Sequence, residues 1–89
     1  MLKSISIQVL GKVQNVGFRF YTKKKAQSIG INGFVKNQND GSVFAEAEGS
    51  SENIDLFIEY CKNGPEWARV DKVNIQEIPF QDYREFKIS

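Results

Sequence analysis

Residues 4 to 30 read SISIQVLGKVQNVGFRFYTKKKAQSIG, and the spacing of their apolar side chains changes once along that stretch. From Ser4 to Val9 the alternation is strict, with Ile5, Ile7 and Val9 on one face and Ser4, Ser6 and Gln8 on the other, the pattern of a half-buried strand. From Phe18 the interval lengthens. Phe18, Thr22, Ala26 and Ile29 make one stripe at helical spacing, Lys23, Lys24 and Lys25 splay toward solvent, and Gly30 stops the helix. The triple lysine reads as a solvated helix face rather than a nucleic-acid patch.

The rest of the chain extends this strand-loop-helix beginning. Asn32 to Gln38 and Ser42 to Gly49 are short strands flanking Asn39-Asp40-Gly41, whose Asp-Gly pair signals an antiparallel hairpin. Ser50 or Ser51 caps a second helix, Glu52 sits in its first turn, and Ile54, Phe57, Ile58 and Cys61 follow at helical spacing until Gly64-Pro65. Val70 to Ile78 reads as a strand with a bulge, because the apolar parity shifts between Val70 and Val73. A last short strand is expected within Arg84 to Ile88. The order is βαββαβ plus a terminal strand. It predicts an α+β fold of the ferredoxin-like, split βαβ kind, an antiparallel sheet with two helices on one face. Residues 1–89 are expected to form one domain, since a chain of 89 residues has room for a single core.

Composition narrows the chemistry. Twelve basic and eleven acidic residues leave a net charge of +1, so no bulk field points to a polyanion or a membrane surface. The absence of histidine removes the usual general base and the commonest metal ligand. Glu46 and Glu48, with Asp40, Glu52 and Asp55 nearby, read as a solvated acidic surface, and no metal site is expected. Cys61 reads as a small core residue. With one cysteine and a Met-Leu-Lys-Ser start that lacks a leader-like apolar run, the chain is expected in the cytoplasm.

Between the first strand and the first helix lies Gly11-Lys12-Val13-Gln14-Asn15-Val16-Gly17-Phe18-Arg19. A loop entering a helix presents unpaired backbone N–H groups at the positive end of the helix dipole, an arrangement that favours phosphate. Arg19, in the first turn, adds a planar fork of donors that grips two oxygens at once. The loop nevertheless lacks both the Gly-Lys-Ser/Thr ending of a nucleotide loop and the GxGxxG of a dinucleotide site, so spacing alone leaves an ordinary strand-to-helix connection open. Asn37, read alone, flanks a turn.

Two blocks of sequence go further. Gly11-Lys-Val-Gln-Asn-Val-Gly-Phe-Arg19 resembles the acylphosphatase signature G-x-V-Q-G-V-x-F-R at every specified position except Asn15, which stands where the signature has glycine. Gly33-Phe-Val-Lys-Asn37, followed by Asp40-Gly41-Ser42-Val43 and Gly49, resembles the second signature of that family, and the likeness continues through Gly64-Pro65, Ala68-Arg69-Val70 and Phe86-Lys87-Ile88. The resemblance implies the ferredoxin-like fold and hydrolysis of acyl phosphates to a carboxylate and inorganic phosphate, without metal or cofactor. It also implies catalytic roles for Arg19 and Asn37, the one holding phosphate and the other orienting water, with the amides of Gln14, Asn15, Val16, Gly17 and Phe18 as the phosphate cradle. Asparagine tolerates left-handed backbone angles better than most residues, so the loop is expected to keep its shape at Asn15.

Two other classes of function stand beside this one. A non-catalytic phosphate- or ligand-binding regulatory module of the same fold would share every feature but turnover. An RNA-binding module would want ring-bearing strand positions in an RNP-like run and a basic footprint; Phe34 and Phe44 supply rings, but not in such a run. The expected partner is a small-molecule acyl phosphate, with no nucleic acid and no membrane, and the expected state is a monomer.

Overall fold

The alternating run becomes β1 (Leu2–Lys12), which extends beyond it at both ends. The computed structural model describes residues 1–89, and the chain continues through α1 (Phe18–Ser28), β2 (Asn32–Asn37), β3 (Val43–Ser50), α2 (Ser51–Asn63), β4 (Arg69–Glu77) and β5 (Phe86–Ile88). The five strands form one sheet in the order β4-β1-β3-β2-β5. Pairings β1–β3, β1–β4 and β2–β3 are antiparallel.

Register fixes the inner face. Ile5 faces Ala47, which faces Gly33; Ile7 faces Ala45, which faces Val35; and Val9 faces Val43, which faces Asn37. The apolar members of these rows are buried with Phe18 and Ala26 from α1, with Ile54, Phe57 and Cys61 from α2, and with Phe86 from β5. Both helices therefore cover the same side of the sheet. Each stripe is capped as its sequence foretells. At the end of α1, Gly30 N–H donates to Gln27 O and Ile31 N–H to Ala26 O at 2.9 Å. At the start of α2, Ser50 Oγ accepts from Asn53 N–H at 3.3 Å. Lys24 is solvated, whereas Lys25 lies partly against the ring of Tyr60, its Nζ 4.7 Å from the centroid.

The expected bulge is present. Leu10 pairs with Lys72 but Gly11 pairs with Val70, so Asp71 has no opposite number. Gly11 makes this possible: its φ is +134°, and a Cβ there would lie 2.1 Å from Arg69 O and 2.8 Å from Asp71 N. Only a residue without a side chain fits.

Two expectations are corrected. The sheet is mixed, because β5 runs parallel to β2, with Gly33 opposite Phe86 and Val35 opposite Ile88. β4 ends beside the start of β1, and the chain then crosses the outer face of the sheet to the far edge. β5 must therefore enter beside the start of β2 and run with it. The second correction concerns the acidic residues. Glu48 is only 3% exposed, and its carboxylate accepts hydrogen bonds from Ser4 Oγ, Gln81 N–H and Tyr83 N–H. Glu46 is half-buried and accepts from Tyr83 Oη at 2.5 Å. These two carboxylates hold the crossing segment, residues 78–85, whose amides would otherwise lack acceptors; Asp40, Glu52 and Asp55 are exposed as expected. Tyr83 also sets its ring edge-on to Phe34, with centroids 5.9 Å apart.

Two outcomes follow from this packing. Gly11→Ala should destabilise the fold by about 2 kcal/mol or more, from overpacking against β4 and an unfavourable φ, read as a lower urea midpoint. Burial, the bond to Glu46 and the charges of Glu46 and Glu48 push the Tyr83 phenol up to about 12. A raised phenol favours the neutral form, so its contribution to stability is complete below the ordinary tyrosine range and is lost as pH rises through about 12. The difference between ultraviolet titrations of the wild type and Tyr83→Phe should place the missing phenolate near 12.

Candidate active site

At the end of the sheet away from the crossing segment, β1 stops at Lys12 and the chain turns toward α1. Val13 is buried in the core, and Val16 packs partly against it. Between them, Gln14 is held from outside the loop: its Nε2 donates to Gln38 O at 2.8 Å and to Ser42 O at 3.0 Å. Both amide hydrogens are thus spent on joining the loop to the β2–β3 hairpin. That hairpin has its own brace. Asp40 Oδ1 accepts from Ser42 N–H at 2.9 Å and from Ser42 Oγ at 2.6 Å, and these bonds hold the Asp40 carboxyl below its usual range.

Within the loop, Asn15 has φ +62° and Gly17 has φ +78°. Left-handed residues alternating with ordinary ones turn successive N–H groups toward a common centre, the geometry of an anion nest. None of the backbone N–H groups of residues 14 to 20 donates a hydrogen bond within the chain. No side chain caps α1, and no acidic residue occupies its first turn. The positive end of the helix is therefore left for an outside acceptor.

Two side chains converge there. Arg19 rises from the first turn of α1 and joins none of the ion pairs of the chain, whose cations are Lys62, Arg69, Arg84 and Lys87. Asn37 ends β2 with the same inward parity as Gly33 and Val35, so its side chain points under the loop rather than out to solvent. Its Oδ1 is the one buried side-chain nitrogen or oxygen without a hydrogen-bond partner. Such an atom costs about 1 to 3 kcal/mol unless something bonds to it.

Asn15, Gly17, Phe18, Arg19 and Asn37 line one crevice of about 210 Å³, with Val13, Phe20 and Ile88 completing its walls. Of the residues expected at the site, Gln14 and Val16 do not line it; one ties the loop and the other packs beneath it. The three apolar wall residues were missed. Phe20 had a signal, being a ring off the buried stripe of α1, while Ile88 comes from the opposite edge of the sheet, where local sequence is silent. The walls carry no carboxylate, thiol or phenol. Cys61 lies in the core, and burial pushes its thiol up to about 12, leaving it neutral and shielded. The site can bind a tetrahedral anion and hold a water beside it, but has no titratable group of its own to abstract a proton.

Comparison with known proteins shows the family. The family model described as Acylphosphatase matches residues 5–88. An acylphosphatase of Mannheimia succiniciproducens is 58% identical over 65 residues, 73% of this chain and 72% of that protein. One of Aliivibrio fischeri is 43% identical over 97% of this chain and 96% of its own length. The solved structure of an acylphosphatase from Coxiella burnetii superposes with a TM-score of 0.95 at 38% identity, covering 99% of this chain and 93% of that one.

The left-handed angle at Asn15 generates a test with inorganic phosphate as the probe. Asn15→Gly relieves at most about 1 to 2 kcal/mol of strain and gives back about 0.4 to 1 kcal/mol through a looser unfolded chain. Stability and phosphate affinity should change little. Asn15→Val places a β-branched residue at φ +62° and should weaken phosphate binding about tenfold or more through loop distortion. Titration calorimetry of the three proteins decides, and equal affinity in the valine variant would remove the left-handed cradle.

Proposed function

The chain belongs to the acylphosphatase family of enzymes, and we propose that it hydrolyses acyl phosphates with Arg19 and the loop amides as the phosphate cradle and Asn37 as the holder of the attacking water. The observation that carries this reading is the partnerless Asn37 Oδ1 in the same crevice as the unpaired Arg19. A water that donates one hydrogen to Oδ1 fills the one vacancy among the buried side-chain oxygens and nitrogens. Its lone pair is then free to face phosphorus.

The roles divide by chemistry. The guanidinium of Arg19 and the loop amides that reach the crevice, those of Asn15, Gly17 and Phe18, bind the phosphoryl oxygens, where charge is spread in the transition state, and being fixed beforehand they need no reorganisation. The water oxygen bonds to phosphorus as the bond from phosphorus to the acyl oxygen breaks. The carboxylate leaves with the electron pair, and the proton of the water passes to a phosphate oxygen of the substrate. A carboxylate is a good leaving group and needs no acid. This suits a crevice whose walls lack a titratable base.

The same reading takes the reaction to be metal-independent. No three of the acidic or cysteine side chains are grouped as ion ligands, and the cation of Arg19 already serves the phosphate. No helix is long and apolar enough to cross a membrane. We take the location to be the cytoplasm, on the strength of a lone free cysteine, and the working form to be a monomer. A non-catalytic binding module has no observation in its favour, since phosphate binding alone gives Asn37 Oδ1 nothing to do.

The deciding experiment is turnover of an aryl acyl phosphate by purified protein with a chelator present. Sustained hydrolysis is expected, and its absence would end the proposal. Arg19→Ala and Arg19→Lys should each lower kcat/KM by about 10³-fold, because an ammonium cannot replace the fork. Asn37→Ala should lower kcat by about 10²-fold while inhibition by inorganic phosphate persists. Loss of phosphate inhibition in Asn37→Ala would mean that the two roles are wrongly divided.

A further inference from the structure

The phosphate cradle explains the polar walls of the crevice and leaves its apolar ones unassigned. Phe20 is 62% exposed and Ile88 is 40% exposed, yet both line the crevice that contains Arg19 and Asn37. The other large exposed apolar side chains, Leu56, Trp67 and Ile75 among them, lie elsewhere. Exposed apolar surface on the rim of a polar site does nothing for phosphate.

Both rim residues are held in place. The buried stripe of α1 runs through Phe18, Thr22 and Ala26, which leaves Phe20 off the core side. Lys24, one turn later, sets its ammonium 5.6 Å from the centroid of the Phe20 ring and restrains it. Ile88 is fixed by strand pairing opposite Val35, and the next amide, Ser89 N–H, donates to Val35 O at 2.8 Å. The rim thus joins the first turn of α1 to the last strand, with the phosphate cradle between them.

We infer that Phe20 and Ile88 form the rest for the acyl group, so that the enzyme selects acyl phosphates with apolar chains of three or more carbons over acetyl phosphate. This rests on the hydrolytic reading of the same crevice. With the phosphoryl group in the cradle, the acyl carbon lies one bond beyond the bridging oxygen, and the chain attached to it leaves over the rim. Each methylene laid on that rim is withdrawn from water on one side.

The test is a homologous series of acetyl, propionyl and butyryl phosphate. Their leaving carboxylates are nearly equal in basicity, so differences in kcat/KM report contact with the acyl chain rather than intrinsic reactivity. In the wild type kcat/KM should rise about two- to fourfold per added methylene. Phe20→Ala and Ile88→Ala should each flatten the series, Phe20→Leu should keep most of the slope, and Leu56→Ala on α2 should keep all of it. A flat series in the wild type, or a slope unchanged in both alanine variants, overturns the inference while leaving acyl phosphate hydrolysis intact. Failure to hydrolyse any member overturns the inference together with the reading beneath it.

Discussion

Val9, Val43 and Asn37 stand in one row across β1, β3 and β2, and this register determines what the sheet offers at its functional end. The rows behind it, Ile7–Ala45–Val35 and Ile5–Ala47–Gly33, are buried under the helices. Slipping β2 by one residue would expel Val35 from the core and turn Asn37 to the opposite face. A fully buried valine contributes about 1.5 kcal/mol or more, so the hydrophobic rows enforce the position of a side chain that adds nothing to the core. The Gln14 clamp then ties the loop to the turn beyond Asn37, and Arg19 follows in the first turn of α1. The placement of the polar groups is a by-product of apolar packing.

The two ends of the sheet treat buried polarity in opposite ways. Where residues 78–85 cross, Glu48 meets three donors, Glu46 meets a phenol, and Asn32 Nδ2 reaches Tyr83 O at 3.1 Å. At the other end a run of amides and Asn37 Oδ1 are left without partners. Folded chains rarely leave such groups unpaired. The contrast within one molecule is the reason to propose the ligand at that end, and similarity to acylphosphatases along nearly the whole chain shows the family.

Local patterns carried most of the fold. The alternation of β1, the stripes of both helices, their caps and the bulge opposite Gly11 are all decided within a few residues, and each is found where the sequence put it. The parallel partner of β2 was not legible, because its direction depends on the route taken by residues 78–85. Glu48 misled for a related reason: a carboxylate on a strand looks solvated until distant amides arrive to cover it. Of the proposed site residues, Arg19 is a candidate by its place in the first turn after a glycine-bounded loop, whereas Asn37 stands out only through family likeness, since an asparagine before a turn is common. Gln14 was read as part of the cradle, and its side chain proves to be a brace whose acceptors lie across the sheet.

The crossing segment also bears on how the chain reaches this structure. Ile5 pairs with Glu77, Ser4 bonds to Glu48, and Gly33 meets Phe86, so the ends of the chain are brought together through contacts remote in sequence. Chains dominated by such contacts fold slowly, in milliseconds to seconds, because loop closure precedes the pairing that compensates it. The β2–β3 hairpin needs only its own turn to form. β5 needs β4, β1 and β3 in place before residues 78–85 have anything to lie across. The wall that carries Ile88 therefore rests on contacts across the whole sheet, whereas Asn37 is set by the pairing of its own hairpin.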